Sequence, residues 1–150
     1  MIRTMLVLHI FGFVLWIGGA YAIMTAGIAA RREERSALGA LARMQGAIYS
    51  GVVGPGAGIT IATGLVLTFK MFGPDSPPPT AWLMIMQTIG LVAGVITLAI
   101  SLPLAGRIRR IDPMGPGAPA FDALRNRQKI VGMVSGLLGL VALVAGAMTR

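Results

Sequence analysis

Residues 5–30 read MLVLHIFGFVLWIGGAYAIMTAGIAA and contain no charged side chain. An α-helix needs about 20 apolar residues to cross a bilayer, so this stretch is long enough to span one. Three further uncharged stretches of sufficient length follow it, at residues 44–69, 76–106 and 130–149. The sequence therefore predicts four transmembrane helices.

The composition is that of a membrane protein. Of the 150 residues, 55% are hydrophobic and 12% are charged, whereas soluble domains carry about 25% charged residues. Mean hydropathy is +0.80. We predict an all-α, polytopic membrane protein, a single domain over residues 1–150, with four transmembrane helices in an antiparallel bundle. The expected helices lie at about residues 4–30, 44–70, 80–106 and 129–149.

Proline and glycine residues set the limits of the third and fourth helices. Because Pro77, Pro78 and Pro79 do not fit inside a helix, the third helix is expected to begin near Thr80. Residues 112–117 are rich in proline and glycine and interrupt any helix there. Residues 120–128 are amphipathic, and we expect a short surface helix that leads into the fourth helix.

The formal net charge of +8 comes from basic residues bunched between the spans rather than spread over one surface with aromatic residues, which argues against nucleic-acid binding. Ten of the thirteen Lys and Arg residues lie in the first and third connections, whereas Arg3, Lys70 and Arg150 lie on the other side. The positive-inside rule then predicts that both basic connections are cytoplasmic and both termini are outside.

The basic connections have two interpretations. Arginines beside a span commonly do no more than set its orientation. Basic clusters at the ends of spans also bind the anionic head groups of the lipid bilayer. The candidate head-group ligands are Arg31, Arg32, Arg107, Arg109 and Arg110.

Small residues are expected to hold the helices together, because helices in lipid associate through close backbone approach. Glycine pairs spaced by four residues are predicted to form the packing faces. The pairs are Gly54 and Gly58, Gly90 and Gly94, and Gly132 and Gly136. Pro55 and Pro103 each remove a backbone hydrogen bond, so a kink or local opening is expected at both positions.

The residue types that are missing exclude several chemistries. The chain has no cysteine, which excludes disulfides, thiolate metal sites and covalently attached c-type haem. Apart from Lys70 and Lys129 at their ends, the predicted spans contain no Asp, Glu, Lys or Arg, which weighs against a proton-coupled transporter and against a charged ion pathway. His9, the only histidine, is therefore the candidate metal or haem ligand within the spans.

Gly12 and Trp16 follow His9 at helical spacings and share its face. A flat porphyrin lying against this face, with His9 as axial ligand, would make a haem b site. Candidates for a second ligand, at comparable depth, are Met84, Met86 and Gln87 on the third helix and Met148 on the fourth, besides water or the His9 of a second copy; a copper site with His and Met ligands is the other possibility. Two other interpretations stay open: a structural hydrogen bond between His9 and Gln87, and an interface with another protein.

Residues 8–19, LHIFGFVLWIGG, resemble the first helix of a loose group of small bacterial membrane proteins. The group includes the four-helix membrane protoporphyrinogen oxidase, the copper-resistance D-type membrane domain and related domains of unknown function. Residues 62–65, ATGL, and Trp82 at the start of the third helix are also similar to that pattern. The resemblance implies a haem-linked or redox-linked protein of a bacterial cytoplasmic membrane, with His9 matching the first-helix histidine of the group.

The sequence favours a non-catalytic function. The predicted interior offers His9, Tyr21, Tyr49 and hydroxyl groups as acids or bases, with no oriented partner, so catalysis by this chain alone is not expected. The small size and glycine-rich helices predict an accessory or assembly subunit of a membrane complex, bound to another protein or to a second copy. The alternative is a b-type haem-binding or redox-linked membrane protein with His9 as axial ligand.

Overall fold

The computed structural model describes residues 1–71 and 78–148, and all regular elements in these ranges are helical. The α-helices are α1 (Ile2–Ala29), α2 (Leu38–Ile48), α3 (Gly54–Met71), α4 (Ala81–Ile96), α5 (Leu102–Ile108) and α6 (Ala118–Ala147). Short 3₁₀ turns lie at Ala30–Arg32, Arg35–Ala37 and Gly115–Gly117. A π-helical turn joins α2 to α3, and another joins α4 to α5.

These elements form four spans that are long enough and apolar enough to cross a membrane. The prediction of an all-α chain with four helices of transmembrane length is confirmed. In chain order the first to fourth spans are Ile2–Arg32, Arg35–Lys70, Ala81–Ile108 and Gly115–Ala147. The third begins next to Thr80, whose hydroxyl accepts a hydrogen bond from the Leu83 N–H at 3.3 Å and so caps the helix.

The limits of two spans differ from those predicted. The second span begins before residue 44, because the segment with Arg35 and Arg43 is already helical. Residues 120–128 form the first turns of α6 rather than a separate surface helix. The reason is that Phe121 is fully buried, in a cluster with Leu104 and Ile108, so this amphipathic face packs on the third span. Pro77, Thr149 and Arg150, which entered the predictions, lie outside the described residues.

The prolines inside the second and third spans each follow a π-helical turn. In the second span the turn is Tyr49–Val53, and Pro55 comes after it; in the third the turn is Thr97–Ser101, and Pro103 comes after it. The N–H that follows each turn bonds to the carbonyl five residues earlier instead of four. The opening expected at the prolines therefore takes the form of one widened turn in each span.

The first and second spans touch backbone to backbone at Gly12 and Gly56. A Cβ atom on Gly56 would lie 2.6 Å from the backbone nitrogen of Trp16 and 2.8 Å from the carbonyl oxygen of Gly12. A Cβ on Gly12 would lie 2.9 Å from the carbonyl oxygen of Gly56. Since real Cβ atoms do not approach backbone atoms this closely, both positions require glycine.

Trp16 joins the first span to the third. Its side chain is 3% exposed, and its indole N–H donates to the hydroxyl of Thr97 at 3.2 Å. That hydroxyl in turn donates to the carbonyl of Ala93 at 2.9 Å. Phe13 meets the indole edge-on, with ring centroids 6.2 Å apart. The indole therefore anchors the core at the π turn of the third span.

Four of the six paired glycines lie against another span. Cβ atoms placed on Gly54, Gly90, Gly94 and Gly132 would each lie within 4 Å of side-chain atoms of another span. The tightest contact is at Gly94, where a Cβ would lie 2.5 Å from the Cδ1 of Ile61. This position brings the second and third spans together.

Gly58 and Gly136 point away from the other described spans. Among residues 1–71 and 78–148, no atom outside the glycine's own turn of helix lies within 4 Å of the Cβ position of either glycine. The prediction that both members of these two pairs pack inside the chain is therefore wrong. A spacing of four residues turns a helix by more than one full circle, so the second glycine is displaced around the helix from the first.

Arg35 ties the first connection to the third. Its Nε donates to the carbonyl oxygen of Pro113 at 2.7 Å, and its Nη2 donates to Asp122 Oδ2 at 2.8 Å. Both side chains of this ion pair are about half exposed. We call this part of the protein, formed by the first and third connections and the adjoining span ends, the basic end.

The contact between the first two spans predicts a stability difference between two glycines of the same helix. Gly56→Ala has to push the backbones apart, and overpacking of this kind costs about 1–3 kcal/mol. Gly58→Ala adds its methyl group to open space and is expected to leave the free energy of unfolding unchanged or slightly raised. Unfolding in mixed detergent micelles, followed by circular dichroism, measures both. Equal stability of the two variants would contradict the backbone contact.

Candidate functional site

His9 belongs to the first span, and its ring packs against three residues of α3 in the second span. The Nδ1 atom is 2.9 Å from the backbone carbonyl oxygen of Thr60 and 3.2 Å from the hydroxyl oxygen of Thr63. The imidazole covers Gly64: a Cβ there would lie 3.0 Å from His9 Cε1. Thr60, Thr63 and Gly64 occupy positions i, i+3 and i+4 and so share one helix face.

The local structure of α3 explains why this face accepts a polar ring. The hydroxyl of Thr60 donates to the carbonyl of Gly56 at 2.8 Å, which satisfies it within its own helix. The Thr63 hydroxyl donates to the carbonyl of Ile59 in the same way. Gly64 leaves the space that the ring occupies. The threonines therefore make the face polar without leaving an unsatisfied donor.

The hydrogen bond to Thr60 fixes the tautomer of a neutral His9. A carbonyl oxygen only accepts hydrogen bonds, so the Nδ1 atom that meets it must carry the proton. The lone pair of the neutral ring is then on Nε2, which makes no hydrogen bond among the residues described. Metal-ligating histidines are commonly held in this manner, with one nitrogen bonded to the protein and the other available.

The third-span residues proposed as partners of His9 have other contacts. The Gln87 side-chain N–H donates to the hydroxyl of Thr68 at 2.9 Å, so the expected structural bond between His9 and Gln87 is replaced by two separate bonds to the second span. Met86 packs near Gly146 of the fourth span, and Met84 is 55% exposed. The structure thus brings His9 to the second span rather than to these three residues.

Gly12 and Trp16, the other two residues of the predicted cofactor face, are both buried. The second span fills the space beside Gly12, and the indole N–H of Trp16 is hydrogen-bonded to Thr97. A porphyrin placed against this face would have to displace the second span. The residues inside the bundle therefore do not fit a haem at the predicted position.

The sequence analysis did not identify Thr60, Thr63 and Gly64 as partners of His9. A signal for them was present, since a Thr-x-x-Thr-Gly pattern puts two hydroxyls and a gap on one face of an otherwise apolar helix. Over residues 1–71 and 78–148, no group of three or more His, Cys, Asp or Glu side chains is placed to hold a metal ion. Within these ranges His9 does not belong to such a group.

The five arginines proposed as lipid ligands are all exposed and all belong to the basic end. Arg109 differs from the others in having its aliphatic stem against Gly46 of the second span, where a Cβ would lie 3.0 Å from its Cδ. Arg31 and Arg32 lie in the 3₁₀ turn at the end of the first span. The structure thus gathers these residues at one level of the bundle.

Comparisons with known proteins found no relative of this chain. No family model matches the chain, and no curated protein or solved structure matches it. The resemblance of residues 8–19 to the copper-resistance D-type and protoporphyrinogen oxidase group therefore stays a prediction.

The contact between His9 and Gly64 predicts non-additive effects of substitution. His9→Ala removes an interhelical hydrogen bond, worth about 0.6 and at most about 1.7 kcal/mol in a membrane protein. Gly64→Ala places its methyl group against the ring, so it should destabilise the wild-type chain and be tolerated in the His9→Ala background. A double-mutant cycle of unfolding free energies tests this. Strictly additive effects would show that the ring does not lie on Gly64.

Proposed function

We propose that this protein is a non-catalytic accessory or assembly subunit of a membrane complex, and that it binds a transmembrane helix of another chain on the outward face of its second span. The observation that carries the proposal is a row of small residues on that face. The residues are Ala47, Gly51, Pro55, Gly58 and Ala62. All but Gly58 are exposed, and Gly58 is half-buried with open space at its Cβ position.

The outward faces of the other spans have a different composition. They carry large aliphatic, aromatic and sulfur-containing side chains, which suit contact with lipid. Examples are Val7, Phe11 and Val14 in the first span, Met84, Leu91 and Val95 in the third, and Met133, Leu137 and Val144 in the fourth. The second span also exposes large side chains, Met44 before the row and Leu65 and Phe69 after it, but none of this size interrupts the row itself. A neighbouring helix gains more from close contact with small residues than lipid chains do.

The backbone at the centre of this row also favours a protein partner. Pro55 has no N–H to give to the turn before it, and that turn contains the exposed Gly51 and Ser50. A backbone carbonyl without a donor is costly in hydrocarbon. A partner helix with a hydroxyl or amide donor would satisfy any carbonyl that Pro55 leaves without an N–H.

The polar side chains of the spans support a structural rather than a catalytic function. His9 bonds to Thr60, Trp16 to Thr97, and Gln87 to Thr68, so these groups join one span to another. Each is therefore used in holding the bundle together. This arrangement favours a chain whose function is assembly.

The proposal includes an orientation. We infer an antiparallel bundle in a bacterial cytoplasmic membrane, with the basic end in the cytoplasm and both termini outside. Support for the antiparallel order comes from contacts that run oppositely along two spans: His9 meets Thr60, and Gly19 meets Val53. Support for the orientation comes from the ten basic residues of the first and third connections.

A second candidate function is haem-linked or redox-linked. The observation that favours it is the Nε2 of His9, which has no hydrogen-bond partner in the part of the chain that the structure describes. Since the second span covers Gly12, a haem would have to approach the ring from outside the bundle, at an interface with another chain. The resemblance of residues 8–19 to the copper-resistance D-type group also supports this candidate.

The row of small residues predicts that a large side chain on this face of the second span blocks association with a partner helix without affecting the fold. Gly58→Leu should lower the recovery of co-purifying chains about tenfold, the factor that corresponds to 1.4 kcal/mol, because a partner helix is no longer able to approach. Gly136→Leu is the matched control, since Gly136 has the same open environment on the fourth span. The measurement is quantitative mass spectrometry after purification from the native membrane in mild detergent. Equal loss in both variants, or a wild-type chain that elutes alone, would contradict the proposal.

The two candidate functions differ in the visible spectrum of the same preparation. The accessory function predicts a chain without a Soret band. The haem-linked function predicts a Soret band that disappears in His9→Ala and persists in Gly58→Ala. A band that is unchanged in His9→Ala would rule out His9 as the axial ligand.

A further inference from the structure

A cleft of about 360 Å³ lies at the basic end, between the start of α2 and the chain that follows α5. Three arginines line it, Arg43, Arg109 and Arg110, together with Ser36 and Asp112. Arg43 belongs to the second span, and the other two follow directly after the third. The cleft is therefore a charged recess between two spans.

The three arginines are not neutralised by carboxylates of the chain. The ion pair seen across residues 1–71 and 78–148 is that of Arg35 with Asp122, outside the cleft. Asp112 lines the cleft, but its Oδ1 accepts the backbone N–H of Met114 at 2.9 Å. Three positive charges and one negative charge leave a local excess of two positive charges.

The cleft is held in shape by contacts on both sides. The stem of Arg109 lies on Gly46, where any side chain would displace it. On the opposite wall, Arg35 bonds to the carbonyl oxygen of Pro113 and so fixes the 112–114 segment to the first connection. These contacts fix the walls of the cleft before any ligand arrives, which lowers the entropy cost of binding.

The level of the cleft indicates the source of its ligand. Arg43 directly precedes the uncharged stretch 44–69, and Arg109 directly follows the third span, which ends at Ile108. Groups at the ends of apolar spans lie at the depth of lipid head groups. Basic pockets between transmembrane helices at this depth recognise phosphorylated head groups, and guanidinium groups bind phosphate oxygens in pairs.

We propose that Arg43, Arg109 and Arg110 form a discrete binding site for an anionic phospholipid whose head group carries two phosphodiester charges. The site is distinct from the general attraction of Arg31, Arg32 and Arg107 to an anionic surface, because it needs the recess between the second and third spans. It does not depend on the proposed accessory function, because the arginines lie at the basic end, whereas the row of small residues begins one turn later at Ala47 and runs along the span.

The test is a lipid titration of the full chain in detergent, followed by native mass spectrometry. Cardiolipin supplies two phosphodiester charges, phosphatidylglycerol supplies one, and inorganic phosphate supplies the anion without the lipid. The wild-type chain is expected to retain one cardiolipin more tightly than phosphatidylglycerol. The double variant Arg43→Gln, Arg109→Gln should lose cardiolipin affinity by at least about tenfold, because each surface arginine contributes a factor of about five.

The matched control is the double variant Arg31→Gln, Arg32→Gln, which removes the same charge from the same end outside the cleft. Its cardiolipin affinity should change much less than that of the cleft variant. Equal losses in the two double variants would overturn the proposal and leave only a diffuse basic surface. Displacement of cardiolipin by millimolar inorganic phosphate would also overturn it, in favour of a site for free phosphate.

A separate control tests whether the variants fold. Glutamine keeps much of the arginine stem, so the contact on Gly46 is retained and the thermal unfolding of both double variants should match that of the wild type. If the cleft variant is unstable, Arg110→Gln replaces it, since the Arg110 side chain makes no hydrogen bond or ion pair within the described residues. A loss of about fivefold is expected for this single variant, and an unchanged affinity would overturn the proposal.

Discussion

The close approach of Gly12 and Gly56 is the constraint on which the other contacts depend. In a membrane, helices gain little from burying apolar surface against one another, so their association depends on how closely their backbones meet. Here the first two spans meet at van der Waals distance. That approach brings Trp16 within reach of Thr97 on the third span and places His9 over Gly64. A wider separation at the glycines would weaken both contacts together.

The two π turns adapt the second and third spans to this arrangement. Each adds one residue to a helical turn, which rotates the rest of the helix relative to the part before it. In the second span the turn lies between Gly46, which receives the stem of Arg109, and Gly56, which receives the first span. A regular helix would not present both glycines to the neighbours that they now contact. The widened turn before Pro55 therefore lets the second span contact Arg109 through Gly46 and the first span through Gly56.

Uncharged stretches and proline positions were sufficient to predict the four spans, because the cost of charge in hydrocarbon leaves few alternatives. The side-chain partners were harder to predict. His9 and Gln87 lie at similar depth, and depth alone does not determine that each bonds to a threonine of the second span instead. The spacing of Gly54 and Gly58 likewise did not determine which faces inward. Residues 120–128 have the pattern of a surface helix, and only the burial of Phe121 shows that they continue into α6.

The contacts of Arg35 have a consequence for the order in which the chain assembles. Its partners, Pro113 and Asp122, are about eighty residues further along the chain. During synthesis the first two spans are therefore complete well before either partner exists. The first connection must stay open until the third span is in place and the fourth has begun. The ion pair thus closes the basic end only after the third span is complete and the first turns of α6 have formed.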